Sequence, residues 1–453
     1  MPVSMRSIPG PAPRMELAAG DPAGAIAFRA GQAITRAQFR ADVHATATVL
    51  PDVCHAIGLC EDRYRFLVGL CAAALRGQVT LLPASRVEAV VAEVQARYAP
   101  AYRLGDADIR LSEADQAGQP APPIRVDADA MAVIGFTSGS TGTPQPQAKT
   151  WAAFAWSSVS NHAALSDLWS SAVASVQPQI VATVPAQHMY GMELSVLLPL
   201  LAGAAVHGGR PLFPQDVARA LEAVGPPRLL VTTPVHLRAL LESGITLPAL
   251  AGIVSATAPL SRELARDAEQ RYGCELRELF GSTETCVIAQ RRTATDTGWT
   301  PYPGVHLQPA AEGALVSGPH LTEPVALADR IEVDADGRFR LLGRQADLLE
   351  IAGKRASLGD LNRRLLSIPG VLDGAMLQLD AAGPAGIRRI AAVVVAPQLD
   401  DRALLAALRA LVDPVFLPRP LLRVAALPRN ETGKLTRAAL LDVLRDGMHS
   451  AGL

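Results

Sequence analysis

Lysine is nearly absent from this chain. Of 42 basic residues, only Lys149, Lys354 and Lys434 are lysines, and arginine takes every other basic position. Where any cation serves, such a chain settles on arginine. A lysine that stays points to a need for a compact point charge on a flexible stem, which the planar guanidinium cannot imitate. Other shortages exclude whole classes of function. No block of lysine and arginine forms a basic stripe and the net charge is −1, so recognition of a nucleic-acid backbone is not expected. The longest apolar runs, FLVGLCAAAL and LSVLLPLLAGAAV, fall short of the roughly 20 residues that a bilayer span needs, and read as buried helices or strands. The opening stretch MPVSMRSIPGPAPRMELAAGDP has no apolar core behind a basic start, so no secretory leader is expected and the chain is expected in the cytoplasm. The cysteines Cys54, Cys60, Cys71, Cys274 and Cys286 are odd in number and lack C-x-x-C spacing. They read as small buried hydrophobes, not as a disulfide frame or a zinc cluster.

What remains is a long chain rich in small aliphatic residues. Its 453 residues, 49% of them hydrophobic and 4% aromatic, suit two or three units with cores of their own and a mixed α/β build. Residues 20–135 alternate short apolar runs with helix-like stretches such as RVEAVVAEVQARY. AVIGF predicts a buried strand over 132–136 that runs into a polar loop. QIVATVP, RLLVTTP and AGIVSATAP repeat the pattern of an apolar run followed by a turn, so several strands deliver polar loops at their carboxyl ends, where open parallel sheets keep their ligand sites. From about residue 300, short strands with Gly and Pro turns predict a small β-rich subdomain. The last hundred residues read as helix 358–367, strands 372–379 and 387–396, helix 401–411 and a final helix after NETGK.

The stretch GFTSGSTGTPQPQAKTW, residues 135–151, packs seven glycine or hydroxyl residues into a run of eight and is followed by Lys149. Consecutive small residues let backbone N–H groups converge on an anion, hydroxyls add donors, and a lysine neutralises part of a polyphosphate's charge. The stretch reads as a phosphate cradle. A Walker A loop is a poor match because no lysine stands beside the glycines, and a flexible linker does not interrupt a buried strand.

TSGSTGTP with its later lysine resembles the phosphate loop of the adenylate-forming superfamily, which includes acyl-CoA synthetases, aryl-acid ligases, peptide-synthetase adenylation domains and luciferase. ELFGSTET (278–285), EGALVSGP, LGRQADLLEIAGKR and LPRNETGKLTR resemble four further motifs in the family's order, over residues 130–440. The resemblance implies a large N-terminal domain (1–342) of parallel-type sheets with helices and a β-rich subdomain. A hinge (343–347) and a mobile C-terminal α+β domain (348–453) would follow. It implies that Thr137, Ser138, Gly139, Ser140, Thr141, Gly142 and Lys149 embrace the β- and γ-phosphates of ATP. Phe280 would lie against adenine, Thr283 on the α-phosphate, Glu284 on Mg²⁺, and Asp329 and Arg344 on the ribose side. Lys434 would be the catalytic lysine. His188, Tyr190, Gly191, Ala256 and Gly281 would line the acyl pocket; Ala346, Asp347, Lys354 and Arg355 belong to the hinge and the second half-reaction.

The chain departs from the family in delaying the lysine after the phosphate loop, in placing Ala346 and Asp347 where an acidic or lysine hinge residue is usual, and in the SATAP turn at 255–259. No aspartate stands near Tyr190 to pair with a substrate ammonium, which disfavours an amino acid and leaves aryl or fatty acids. The short chain and its loop variant are similar to stand-alone ligases that load acids onto the phosphopantetheine thiol of an acyl carrier protein. Coenzyme A is the alternative acceptor. A non-catalytic nucleotide- or acyl-binding relative is the competing reading, opposed by the presence of Glu284, Asp329, Arg344 and Lys434 together.

Overall fold

The apolar runs form strands Gln179–Ala182, Arg228–Thr232 and Gly252–Ser255, whose side chains are almost all buried. Strands covered on both faces lose the alternation of a half-exposed sheet and read as continuous Val, Ile and Leu. The computed structural model describes residues 14–112, 121–137, 145–170, 177–344, 348–351, 354–382, 388–430, 433 and 435–450. Contacts divide the chain into two units. The first comprises Met1–Ser255, Ala268–Ile288 and Pro319–Thr322; the second comprises Ala256–Asp267, Ala289–Gly318 and Glu323–Leu453.

In the first unit a five-stranded sheet runs Ala101–Leu104, His55–Gly58, Val79–Leu82, Met131–Thr137, Gln145–Thr150. All neighbours are parallel except the last pair, an antiparallel hairpin. A larger sheet runs from Cys286–Arg291 through Glu275–Ser282, Gly252–Ser255, Arg228–Thr232, Gln179–Ala182 and Ala205–His207 to Ala25–Arg29 and Gln32–Thr35. Its inner strands are parallel. Helices begin where a polar side chain satisfies a free N–H: Asp62 accepts from Arg65 N at 2.9 Å, and Thr150 accepts from Ala153 N at 3.2 Å. Thr150 thus ends the hairpin and starts the helix Trp151–Leu165 in one step.

The second unit contains the antiparallel sheet His306–Ala310, Gly313–Ser317, Val325–Leu327 and the strand pair Asp329–Val333 with Phe339–Arg344. A hairpin, Leu348–Ile351 with Lys354–Ser357, precedes the helix Leu358–Leu366. Strands Asp373–Ala382 and Arg388–Val395 then pair antiparallel, and Leu421–Arg423 joins parallel to the latter. Strand side chains alternate between faces, and this sheet uses both. Met376, Ala392 and Val394 pack with Leu361, Leu365, Leu404 and Leu408. Ala375, Leu377, Ala391 and Val393 pack with Leu440 and Leu444. The helix limits 358–366 and 401–411 and the strand limits 373–382 and 388–395 meet the expectation to within a few residues. The reading of the cysteines needs correction: Cys60, Cys71 and Cys286 are buried, but Cys274 is half-buried and Cys54 is exposed. Among the described residues no helix is long and apolar enough to cross a membrane.

Candidate active site

The glycine and hydroxyl loop joins two strands that return antiparallel on each other. Thr137 pairs with Gln145, and Val133 lies opposite Lys149. Residues 138–144 lie outside the described residues, and with them Ser138, Gly139, Ser140, Thr141 and Gly142. The return of the second strand explains the delayed lysine, because it brings Lys149 back along the sheet instead of leaving it in the loop. Its stem is 7% exposed, and its ammonium donates to the backbone carbonyl of Glu284. The turn that follows Glu275–Ser282 therefore rests on Lys149. A side chain at Gly135 would begin 3.3 Å from the Thr283 methyl carbon, so Thr283 packs over the strand that leads into the loop. Lys149, Thr283 and Glu284 are brought to one corner.

The turn at 283–285 is tied at several points. Ser282 N donates to Thr285 Oγ1 at 3.1 Å, and Thr285 N donates to Ser282 Oγ at 3.2 Å. Cys286 adopts a left-handed φ of 58°. Gly281 lets the two arms close: a Cβ there would stand 2.7 Å from Val287 Cα and closer still to the Cys286 carbonyl oxygen. Phe280 is half-buried in the same strand. Among the described residues the half-buried Glu284 carboxylate takes part in no ion pair or hydrogen bond, and no three metal-ligating side chains gather anywhere. A lone oxygen donor of this kind fits Mg²⁺, which keeps waters and takes substrate phosphates in place of a full protein cage.

Two buried charged groups whose role the sequence did not reveal hold the surrounding elements. Glu193, 1% exposed, accepts from Val287 N at 3.0 Å, from Asn161 Nδ2 at 3.2 Å and from the Ser157 hydroxyl. Burial raises its pKa, opposed by these hydrogen bonds. It opens a π-helical turn, Glu193–Leu197, between the helical turns Met189–Met192 and Leu198–Leu201. Single π turns of this kind frequently mark functional sites. Arg63, 1% exposed, donates to the carbonyls of Val184 at 2.7 Å and Ala182 at 3.1 Å and to the Ser195 hydroxyl. Burial pushes its pKa down to about 9. The only outward sign of Glu193 was one charge inside the apolar run MYGMELSVLLPLL; Arg63 and His320 carried no sequence signal.

Tyr190 is buried and sends its hydroxyl to the carbonyls of Val254 at 2.9 Å and Thr232 at 3.1 Å. It stitches its helix to the carboxyl ends of two parallel strands, so its ring, not its hydroxyl proton, is what it can offer a ligand. Gly191 is buried one residue on, and a Cβ there would strike the Pro185 carbonyl; His188 is half-buried and stands at the helix's N-terminal boundary without a side-chain capping bond. Ala256 is buried in the second unit. In that unit Asp329 and Arg344 stand directly opposite each other as cross-strand partners. Lys354 and Arg355 pair in register with Ile351 and Glu350. Ala346, Asp347 and Lys434 lie outside the described residues.

One buried and three half-buried histidines set an acid limit on the fold. Burial pushes His320 down to about 4 from 6.5 and lowers His162, His207 and His236. Their stabilising contribution is complete above pH 6.5 and is lost as the pH falls through the folded-state values, because only the unfolded chain takes up the protons. For His320 alone this amounts to about 3 kcal/mol. The raised pKa of Glu193 has the opposite sign, adding stability at low pH that is lost as pH rises. Denaturant midpoints measured from pH 7 to pH 4.5 are expected to fall steadily, and to fall less for His320→Gln. Equal slopes for the two proteins would refute the assignment.

With this geometry in place, comparisons with known proteins are decisive for the family. A profile of the AMP-binding enzyme family matches residues 52–316, more than half of the chain. A 4-coumarate–CoA ligase of Halorhodospira halophila is 30% identical over 314 residues, 66% of this chain and 73% of the relative. One of Rhodobacter capsulatus is 34% identical over 236 residues, 52% of this chain and 57% of the relative. The crystal structure of ATP-bound MatB from Rhodopseudomonas palustris superposes with a TM-score of 0.75 at 20% identity, covering 94% of this chain and 97% of that one, which shows the shared fold. The chain belongs to the AMP-binding enzyme family, as an AMP-forming acid–thiol ligase.

Proposed function

We propose that the protein activates an aryl carboxylic acid as its acyl-AMP, releasing pyrophosphate, and passes the acyl group to a phosphopantetheine thiol. The observation that carries this is the convergence of Lys149, Thr283 and Glu284 at the strand leading into the glycine and hydroxyl loop. In this reading residues 137–142 and Lys149 cradle the β- and γ-phosphates, Phe280 flanks adenine, and Thr283 touches the α-phosphate. Glu284 would hold Mg²⁺, whose charge screens the departing pyrophosphate. Asp329 and Arg344, facing each other across two strands, would receive the ribose. The acid is already ionised near neutral pH, so no general base is needed. The difficulty is that two anions must meet. Lys434, on a small lobe (348–453) turning about 343–347, would bridge the carboxylate and the α-phosphate; rotation would then admit the thiol along the face carrying Lys354 and Arg355.

An aryl acid is favoured by the names of two relatives, both 4-coumarate–CoA ligases, and by the aromatic Tyr190 beside His188. Those names support coenzyme A as acceptor, whereas the loop variant supports an acyl carrier protein; both present the same thiol. Acid-dependent exchange of labelled pyrophosphate into ATP, run over a panel of aryl and fatty acids, is expected to respond to an aryl acid. Offering coenzyme A and a phosphopantetheinylated carrier in competition then separates the acceptors. Folded protein with no exchange on the whole panel would overturn the proposal.

A further inference from the structure

We infer that His320 is a positioning residue for the nucleotide site, acting through the backbone of the turn that carries Thr283 and Glu284. This rests on the functional reading above and adds a residue to it. His320 is 9% exposed and stacks on Trp156, with ring centroids 4.0 Å apart and planes 4° from parallel. Its Nε2 lies 2.7 Å from the carbonyl oxygen of Thr285, and because a carbonyl only accepts, Nε2 carries the proton. The preceding carbonyl, that of Glu284, takes its hydrogen bond from Lys149. Two successive carbonyls of one turn are therefore held by donors from outside it, and Val287 N two residues on is held by Glu193. The amides between these anchors have little freedom left.

Packing alone does not explain a histidine here. Fixing Nε2 as the donor leaves Nδ1 an acceptor, and Nδ1 is buried without a partner among the described residues. Such a group is unfavourable, and an apolar side chain on Trp156 would avoid it. What histidine adds is the directed bond to Thr285. Thr285 is fully buried and follows Glu284 directly, so that bond decides how far the turn swings relative to Gly135 and Lys149.

The test compares two amides of different reach. Glutamine places its amide nitrogen where Nε2 stands; asparagine is too short to meet the Thr285 carbonyl. Pyrophosphate exchange is measured against Mg·ATP concentration, beside direct Mg·ATP binding and thermal melting. His320→Asn is expected to raise the half-saturating Mg·ATP five- to tenfold, whereas His320→Gln stays within twofold of the wild type and the two variants melt alike. An unchanged half-saturation in His320→Asn, or a glutamine variant as impaired as the asparagine one, overturns the inference while wild-type exchange keeps the functional reading intact. Should His320→Asn not fold, Trp156→Leu, which removes the stack and keeps the imidazole, is expected to raise half-saturation at least twofold, and no change overturns the inference. A wild type that neither exchanges nor binds Mg·ATP defeats both.

Discussion

Replacing Lys434 with alanine is expected to lower acid-dependent pyrophosphate exchange about 10²- to 10³-fold, while Mg·ATP affinity changes less than threefold. The range is that of removing one preorganised charge aimed at developing negative charge. The separation of the two effects follows from division of labour. Lys149, Thr283 and Glu284 lie together in the first unit and would carry ground-state binding, whereas Lys434 would meet the α-phosphate only as the acid attacks it. The described residues near position 434 are tied by hydrogen bonds. Arg429 grips Asp373 through Nη2 at 2.6 Å and Nε at 2.8 Å, and its Nη1 donates to the carbonyl of Gly433 at 2.9 Å. Gly433 N donates to Asn430 O at 2.8 Å, and Arg429 bridges to Leu435. Backbone on either side of position 434 is thus tied to the strand Asp373–Ala382. Undiminished exchange in the alanine variant would remove Lys434 from the chemistry, and an equal loss of exchange and of Mg·ATP binding would reassign it to substrate binding.

The parts of the molecule that were readable from sequence are those governed by local rules. Val133, Ile180, Leu230 and Ile253 lie in runs whose unbroken apolar character matches parallel strands covered on both faces. The strand Met131–Thr137 that leads into the glycine and hydroxyl loop was legible as an apolar run, close to the expected limits 132–136. The strands expected over 372–379 and 387–396 were equally direct, and are found at Asp373–Ala382 and Arg388–Val395. What stayed hidden depends on partners far along the chain. Glu193 meets Val287 across 94 positions, and Arg63 meets Val184 across 121. Neither pairing has a spacing that a motif can carry, because folding alone brings the elements together. His320 shows the same limit: a histidine after Gly-Pro in a loop carries no mark that its ring will turn inward onto Trp156. Tyr190 shows a subtler one. Its position was readable, but the use of its hydroxyl on two strand carbonyls was not, because those carbonyls belong to residues 42 and 64 positions away.

Gly281→Ala is expected to abolish most adenylation, by at least 10²-fold, in a protein that still folds with a loss of about 1–3 kcal/mol. The added methyl would stand 2.7 Å from Val287 Cα and 2.8 Å from the Cys286 carbonyl carbon, and its three nearest atoms are all backbone. No side chain can rotate away, so the hairpin arms must part. The far arm cannot yield evenly, because Val287 N is bound to the buried Glu193 carboxylate and Thr285 O to His320. Opening therefore concentrates in residues 282–286, where Cys286 already adopts a left-handed backbone and the paired Ser282 and Thr285 bonds close the turn. Thr283 and Glu284 move with it. A displacement of about 1 Å at reacting groups suffices for a hundredfold loss, whereas the overpacking itself remains a modest term against global stability. Circular dichroism melting and pyrophosphate exchange on the same sample separate the two. An alanine variant with wild-type exchange would mean that the turn can open without moving Thr283 and Glu284, and that their placement over Gly135 is not what the reaction requires.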